Sequence, residues 1–153
     1  MKINYKKLLS IILITILIGS FFSFFTSTEI YSKINMPALS PPSIVFPIVW
    51  IVLYTLMGIS LYLVLEENDV ESDKAFLIYL VQLLVNSLWT LIFFGFQNFF
   101  LSFIWIFILI ILVVIMIIKF YQINKTAGLL QIPYLLWLMF AFYLSFTIYL
   151  INK

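Results

Sequence analysis

The residues best suited to contact a ligand are amides and aromatic rings that share one face of a predicted helix. They are Gln82, Asn86, Trp89 and Phe93. Their spacing of four, three and four residues places them on one face of an α-helix. Amides are costly in apolar surroundings unless they are paired. The face therefore meets either other helices, as packing contacts, or a ligand, which its aromatic rings could stack against.

Two other apolar segments each carry one tryptophan on a comparable face. One face consists of Trp50, Tyr54 and Gly58. The other consists of Pro133, Trp137, Ala141, Ser145 and Asn152. Ahead of the first segment, Pro41 and Pro42 cannot lie within a helix and predict a stiff connection, with Ser43 as the helix cap. Three helices thus each offer one inward tryptophan.

The composition excludes most other chemistry. The chain contains no His and no Cys, so the usual general base, thiolate nucleophile and zinc ligands are missing. No ionisable residue interrupts the apolar segments, which argues against a proton-coupled pump, and no glycine-rich phosphate loop is present. We expect no metal site and no required cofactor. A net charge of +2 without arginine also predicts no nucleic-acid partner.

Five long apolar segments must position these residues. They cover residues 8–28, 44–65, 75–96, 99–118 and 129–152. About 20 residues of helix cross the ~30 Å hydrocarbon core of a bilayer. With 65% hydrophobic and 9% charged residues and a mean hydropathy of +1.23, residues 1–153 predict one all-α membrane domain, a bundle of five transmembrane helices.

The lysines predict the orientation of this bundle. Six of them fall on the side of the N terminus, namely Lys2, Lys6, Lys7, Lys74, Lys119 and Lys125. Lys33 and Lys153 fall on the opposite side. Since positively charged loops stay in the cytoplasm, we expect a cytoplasmic N terminus and an external C terminus. The carboxylates that crowd residues 66–73 read as a solvated charge run.

Four stretches resemble the TspO/MBR family, which comprises tryptophan-rich sensory proteins and translocator proteins. They are Met36-Pro37-Ala38-Leu39-Ser40-Pro41-Pro42 with Trp50, Leu53, Tyr54, Met57 and Gly58; Gln82-Leu83 with Asn86, Trp89, Thr90 and Phe93-Phe94-Gly95; Ile132-Pro133-Tyr134-Leu135-Leu136-Trp137 with Phe140-Ala141, Leu144 and Asn152; and Tyr31. Their order and the five-helix layout agree over nearly the whole chain. Several positions depart from the family pattern. Leu39 and Ile30 stand where the family usually has tryptophan, and Pro47 lies three residues before Trp50 instead of two. Trp105 replaces an acidic residue, and Ser145 replaces an asparagine.

The resemblance implies a pocket that is formed by five helices, closed by the loop between the first two, and able to bind tetrapyrroles such as protoporphyrin IX. The ligand-binding positions it implies are Trp50, Tyr54, Asn86, Trp89, Phe93, Trp137 and Ala141. The lid positions are Tyr31, Lys33, Pro41 and Pro42. Because the chain has no His or Cys, a free-base porphyrin fits better than haem.

The resemblance leaves several functions open. The protein could sense or translocate porphyrins in a bacterial cell membrane, or degrade them in light through Trp50 and Trp137. It could also facilitate movement of small hydrophobic ligands or sterols, although the sterol-type pattern of Leu144, Tyr149 and Lys153 is out of register with the family and weak in itself. Family members tend to form homodimers through the third helix.

Overall fold

The computed structural model describes residues 3–153, in which every regular element is a helix. The elements are α1 (Tyr5–Ser20) with a 3₁₀ extension (Phe21–Phe25), a 3₁₀ turn (Thr28–Ser32), α2 (Val45–Glu66), α3 (Ser72–Thr90) with a π-helical extension (Leu91–Gly95), α4 (Phe99–Ile123), α5 (Lys125–Leu129) and α6 (Ile132–Ile151). Five of the resulting helical segments are long and apolar enough to cross a membrane. The predicted all-α, five-helix membrane fold is confirmed.

Several helix ends differ from the sequence-based prediction. The first α-helix begins at Tyr5 and ends at Ser20, because its last turns tighten into a 3₁₀ helix. The fourth helix extends to Ile123, well beyond residue 118. The fifth predicted segment is divided by a turn, so that its spanning helix begins at Ile132. Ser43 does not cap α2, whose preceding residue Ile44 makes no side-chain cap.

Asparagine side chains mark three helix starts. Asn4 Oδ1 accepts a hydrogen bond from the Lys7 amide at 3.1 Å, and Asn98 Oδ1 accepts one from the Leu101 amide at 3.0 Å. Asn124 caps α5 in the same way. Such caps satisfy backbone donors that have no partner within the helix. They fix the residues at which these helices begin.

The bundle is closely packed where glycines let helices approach. A side-chain carbon on Gly58 of α2 would lie 2.8 Å from the Cα of Ile12 in α1. α1 therefore lies directly against α2, while α4 lies between α3 and α6. The interior side chains come mainly from α2, α3, α4 and α6. Large apolar side chains on the outer faces remain exposed, as expected for surfaces that contact lipid.

Charged residues gather at one end of the bundle. Lys7 pairs with Glu66 at 2.6 Å, and Glu71 pairs with Lys74 at 2.8 Å and with Lys119 at 3.6 Å. The hydrogen bond from Lys74 lowers the pKa of the Glu71 carboxyl. The carboxylates of residues 66–71 are thus partly paired with lysines of the same end, beyond the solvated run that the sequence predicted. Lys2 lies outside the described residues.

Candidate ligand site

A small cavity lies among α2, α3, α4 and α6. It measures about 10 Å³ and is lined almost entirely by carbon atoms of Trp50, Asn86, Trp89, Ile106, Leu109, Leu138 and Ala141. Four of the seven predicted ligand-binding residues therefore converge on it. Trp50 comes from α2, Asn86 and Trp89 come from α3, and Ala141 comes from α6.

Two more predicted residues stack on the cavity's tryptophans. The Tyr54 ring lies 5.4 Å from the Trp50 ring at an interplanar angle of 26°. The Phe93 ring lies 5.1 Å from the Trp89 ring at 29°. Both are stacked arrangements, in which each ring restricts the tilt of the other. Tyr54 and Phe93 thus hold the tryptophans without lining the cavity themselves.

A buried hydrogen-bond chain runs beside the cavity. Asn86 Nδ2 donates to the Tyr134 hydroxyl at 2.7 Å, and that hydroxyl donates to Gln82 Oε1 at 2.9 Å. The Tyr54 hydroxyl lies 3.1 Å from Asn86 Oδ1 and 3.0 Å from the Gly19 carbonyl oxygen. A hydroxyl has one hydrogen, so Tyr54 donates to only one of these acceptors at a time. This hydrogen-bond chain joins α1, α2, α3 and α6 through polar groups that are buried away from lipid.

Sequence reasoning did not assign two members of this network. Tyr134 shares a helix face with Leu138 and Ala141, at intervals of four and three residues, and that periodicity was the available signal. Gly19 gave no such signal. A side-chain carbon there would lie 2.4 Å from the Tyr54 ring, so Gly19 is needed because Tyr54 reaches across to α1.

Trp137 does not line the interior cavity. Its ring makes an edge contact with Phe46, with 5.9 Å between centroids, and a tilted contact with Phe140 at 5.6 Å. Phe46 belongs to the first turn of α2 and leads toward the loop between α1 and α2. Trp137 therefore lies at the boundary between the bundle interior and that loop, away from the cavity that Trp50 and Trp89 line.

The loop between α1 and α2, residues 26–44, which the family resemblance predicts as a lid, itself forms the walls of an open groove of about 640 Å³. The groove is lined by Thr28, Tyr31, Ser32, Met36, Pro37, Ser40, Pro41, Pro42, Ser43 and Phe46. Tyr31 stacks on Phe46 at 5.6 Å and meets Phe94 edge-on at 5.3 Å. Burial raises the pKa of the Tyr31 hydroxyl, which keeps it protonated and available as a donor. Three predicted lid residues, Tyr31, Pro41 and Pro42, thus line one groove.

Lys33, the fourth predicted lid residue, is placed differently. Its ammonium lies 3.7 Å from the Glu29 carboxylate, and both side chains are largely exposed. Exposed pairs of this kind contribute little to stability. Lys33 therefore remains available to another anion that approaches the lid.

Asn152 ties the lid to the end of α6. Its Oδ1 accepts a hydrogen bond from the Asn35 amide, and its Nδ2 donates to the Asn35 carbonyl, both at 2.9 Å. The same Nδ2 also donates to the Ile148 carbonyl at 2.9 Å. One side chain thus holds both backbone groups of a lid residue.

Substitution of Asn152 should loosen the lid. Asn152→Ala removes the acceptor of the Asn35 amide, so hydrogen exchange at that amide is expected to accelerate about tenfold, as for a loss of roughly 1.4 kcal/mol. Mass spectrometry or NMR of the lid would measure it. The matched control is Lys153→Ala, which removes the neighbouring side chain from above the Tyr149 ring and should leave Asn35 unchanged. Equal exchange in both variants would contradict the role of Asn152.

These features define a class of protein. Five apolar spanning helices surround stacked aromatic pairs and a buried chain of hydrogen-bonded amides and tyrosines, and the loop between α1 and α2 forms an open groove. The chain is an integral membrane protein with an aromatic interior.

The family follows from sequence comparison. The TspO/MBR family profile matches residues 10–150, and the chain belongs to this family, as the resemblance predicted.

Similar proteins occur in distant organisms. The chain is 37% identical to the tryptophan-rich protein TspO of Archaeoglobus fulgidus, over 97% of this chain and 99% of that protein. It is 33% identical to the tryptophan-rich sensory protein of Cereibacter sphaeroides, over 81% and 77% of the two chains. It is 30% identical to the human translocator protein, over 86% and 80%. The match to the Archaeoglobus fulgidus protein covers nearly the whole of both chains.

Proposed function

We propose that the protein is a membrane receptor for free-base tetrapyrroles of the protoporphyrin IX type, which it senses or translocates without a resident cofactor. The observation that supports this proposal is a pair of stacked tryptophans, Trp50 on Tyr54 and Trp89 on Phe93. Both tryptophans line one interior cavity together with Asn86. Flat apolar faces with few polar groups suit a planar, largely hydrophobic ligand. The names of the relatives, sensory and translocator proteins, agree with this class.

The two spaces suggest an order of binding. Pockets for ligands of this size measure about 300–1,000 Å³, a range that includes the lid groove and excludes the interior cavity. The ligand therefore binds first in the groove, against Tyr31 and Phe46. Its carboxylates would attract Lys33 away from Glu29. Passage to the interior requires Phe46 and Trp137 to move apart.

Inside the bundle, the predicted residues take separate roles. Trp50 and Trp89 would stack on the macrocycle, and Ala141 would leave room for its edge. Asn86 Oδ1 becomes free to accept a ligand N–H when the Tyr54 hydroxyl donates to Gly19. Tyr54 would thus act on the ligand through Asn86, with no need to touch it.

Titration with protoporphyrin IX in the dark tests this function. Added protoporphyrin IX is expected to quench tryptophan fluorescence until the site is saturated. The double variant with Trp50→Phe and Trp89→Phe should bind protoporphyrin IX with lower affinity. Phe100→Leu, on the exposed face of α4, is the control and should bind as wild type does. Absence of saturable binding would refute the proposal.

A second candidate is light-dependent degradation of the bound porphyrin. It is favoured by Trp137, an oxidisable indole in contact with the groove residue Phe46. If tryptophans only stack, Trp137→Phe and Trp50→Phe should each lose about 1 kcal/mol or less of affinity, because phenylalanine keeps the flat face. At saturating ligand, light should then bleach the porphyrin absorbance at the same rate in wild type and in both variants. Bleaching that collapses in either variant while binding survives would establish the degrading activity instead.

We propose the orientation that the lysines predict, with the N terminus in the cytoplasm. The chain has no native cysteine, so Lys33→Cys and Glu67→Cys provide two clean exposed probes. An impermeant thiol reagent is expected to label position 33 in intact cells and position 67 only after permeabilisation. The reverse pattern would invert the orientation.

We also propose that the protein lies in a bacterial cell membrane and forms a homodimer through α3, as the family resemblance implies. Of the small residues on that helix, Ala75 and Ser87 are buried inside the protomer. A dimer would instead use the exposed face with Leu77, Val81 and Leu84. Facilitated movement of sterols gains little support, because Leu144 is buried while Tyr149 and Lys153 pair at the helix end.

A further inference from the structure

Gln131 carries a buried amide without a hydrogen-bond partner. It lies in the turn between α5 and α6 and is 0% exposed. Neither its Oε1 nor its Nε2 has a hydrogen-bond partner among residues 3–153. Gln82, the other buried glutamine, accepts a hydrogen bond from Tyr134. An unpaired buried amide costs free energy that an apolar side chain would not cost. The amide therefore indicates that a polar group reaches it when the bundle changes shape.

Gln131 shares a helix face with residues of the candidate ligand site. Tyr134, Leu138 and Ala141 follow it at intervals of three, four and three residues, which is the spacing of one face of α6. Leu138 and Ala141 line the interior cavity. At a rise of about 1.5 Å per residue, Gln131 lies roughly 15 Å from Ala141 along the helix. This face thus leads from the cavity to the end of the bundle opposite the groove.

Helix α5 closes the bundle at this end. It packs against α2 and α4, and its residues Ala127 and Gly128 are buried. Two side chains hold it. Ser60 Oγ of α2 donates to the Ala127 carbonyl oxygen at 2.6 Å, and Asn124 Nδ2 donates to the Glu67 carboxylate at 2.6 Å. A helix of five residues is not stable by itself, so the position of α5 depends on these contacts.

We propose that α5 is a gate at the end of the bundle opposite the groove, and that Gln131 behind it binds the polar edge of the translocated ligand when the gate opens. The amide can donate to a carboxylate or carbonyl oxygen and can accept from a pyrrole N–H, and a tetrapyrrole carries such groups. Each end of the bundle then has its own closure, through Asn152 at one end and Ser60 at the other. This inference rests on the translocating form of the proposed function.

Thiol labelling tests the gate, because the chain has no native cysteine. Ser60→Ala removes the buried contact with α5. In that background, N-ethylmaleimide should label a Gln131→Cys probe about fivefold faster, as expected for the loss of one hydrogen bond. Ser102→Ala is the matched control, because its equally buried hydroxyl donates to the Asn98 carbonyl at the start of α4. It should leave the labelling rate unchanged.

Hydrogen exchange measures the same opening without the cysteine. The backbone amide of Gln131 donates to the Gly128 carbonyl oxygen at 3.1 Å, so its exchange should accelerate in Ser60→Ala by a similar factor. Ser102→Ala should again match wild type. Equal labelling and equal exchange in Ser60→Ala and Ser102→Ala would overturn the gate.

Gln131→Met tests the amide itself, because methionine keeps an unbranched, flexible side chain. Phosphatidylcholine vesicles that contain the protein and enclose serum albumin report entry of protoporphyrin IX, since albumin binding raises its fluorescence. After subtraction of entry into protein-free vesicles, Gln131→Met should slow entry at least fivefold and leave the dark Kd unchanged. Its unfolding temperature should not fall, because the amide has no partner in the closed bundle. Gln122→Met, on the exposed face of α4, should translocate as wild type does.

The outcomes separate this inference from the proposed receptor. Unchanged entry in Gln131→Met, or binding by wild type without any entry, would overturn the role of Gln131 and leave the receptor standing. A lower unfolding temperature of Gln131→Met would also overturn it, because the amide would then have a partner in the closed bundle. If protoporphyrin IX does not bind at all, the receptor and the role of Gln131 both fail, while labelling and exchange still decide whether α5 is a gate.

Discussion

Tyr134→Phe is expected to destabilise the bundle by about 2 kcal/mol, because it leaves two buried amides each short of a hydrogen-bond partner. Asn86 Nδ2 loses its acceptor, and Gln82 Oε1 loses its donor. Neither group can turn to water, since both side chains are buried. Thermal or denaturant unfolding in one detergent would measure the difference. Affinity for a ligand should fall as well, because Asn86 loses its fixed orientation.

Two further variants make this prediction specific. Tyr143→Phe, the same substitution on the exposed side of α6, should have no effect on stability. Adding Gln82→Leu to Tyr134→Phe should restore part of the loss, because it removes one of the unpaired groups. If Tyr134→Phe were as stable as wild type, or if the double variant recovered nothing, the buried hydrogen-bond chain would contribute little to stability.

Gly58→Ala is expected to cost about 1–3 kcal/mol, the usual range for overpacking a tight interior. The added carbon would meet the Cα and Cγ1 of Ile12 at 2.8 Å. Backbone cannot move aside as a side chain can, so α1 and α2 must separate along their contact. Unfolding measurements would show the loss, and fluorescence of Trp50, on the same helix, would report the shift.

Gly95→Ala is the matched control for this effect. There the added carbon would approach only the flexible end of Leu91, at 2.9 Å, with other atoms at 3.6 Å or more. Gly58 lies within α2 whereas Gly95 ends the π-helical extension, so the preference of alanine over glycine favours the Gly58 variant more. A lower stability of Gly58→Ala than of Gly95→Ala therefore reports the helix contact. Equal stability of the two variants would contradict close packing at Gly58.

The residue pattern alone is sufficient to predict the class of fold and several residues of the candidate site. Long uncharged segments require spanning helices, because backbone groups in lipid must find partners within the segment. The spacing of Asn86, Trp89 and Phe93 placed them on one face of α3, and the structure brings the first two to the interior cavity. Local periodicity is sufficient for such predictions, because the helix repeat alone decides which residues share a face.

How the helix faces meet depends on the packing of the whole bundle. Trp50, Trp89 and Trp137 look equivalent in sequence, yet two of them line the cavity while Trp137 contacts Phe46 in the first turn of α2. Helix periodicity gives the face of a residue but not its depth or its partner on another helix. Those depend on helix crossings and on where a glycine allows close approach.

The same reason explains the contacts that sequence reasoning missed. Gly19 matters because Tyr54 reaches it from another helix, and Asn152 matters because it holds Asn35, 117 residues away along the chain. Hydrogen-bond partners are a property of the assembled interior, since each polar atom is satisfied or left unpaired by elements remote in sequence.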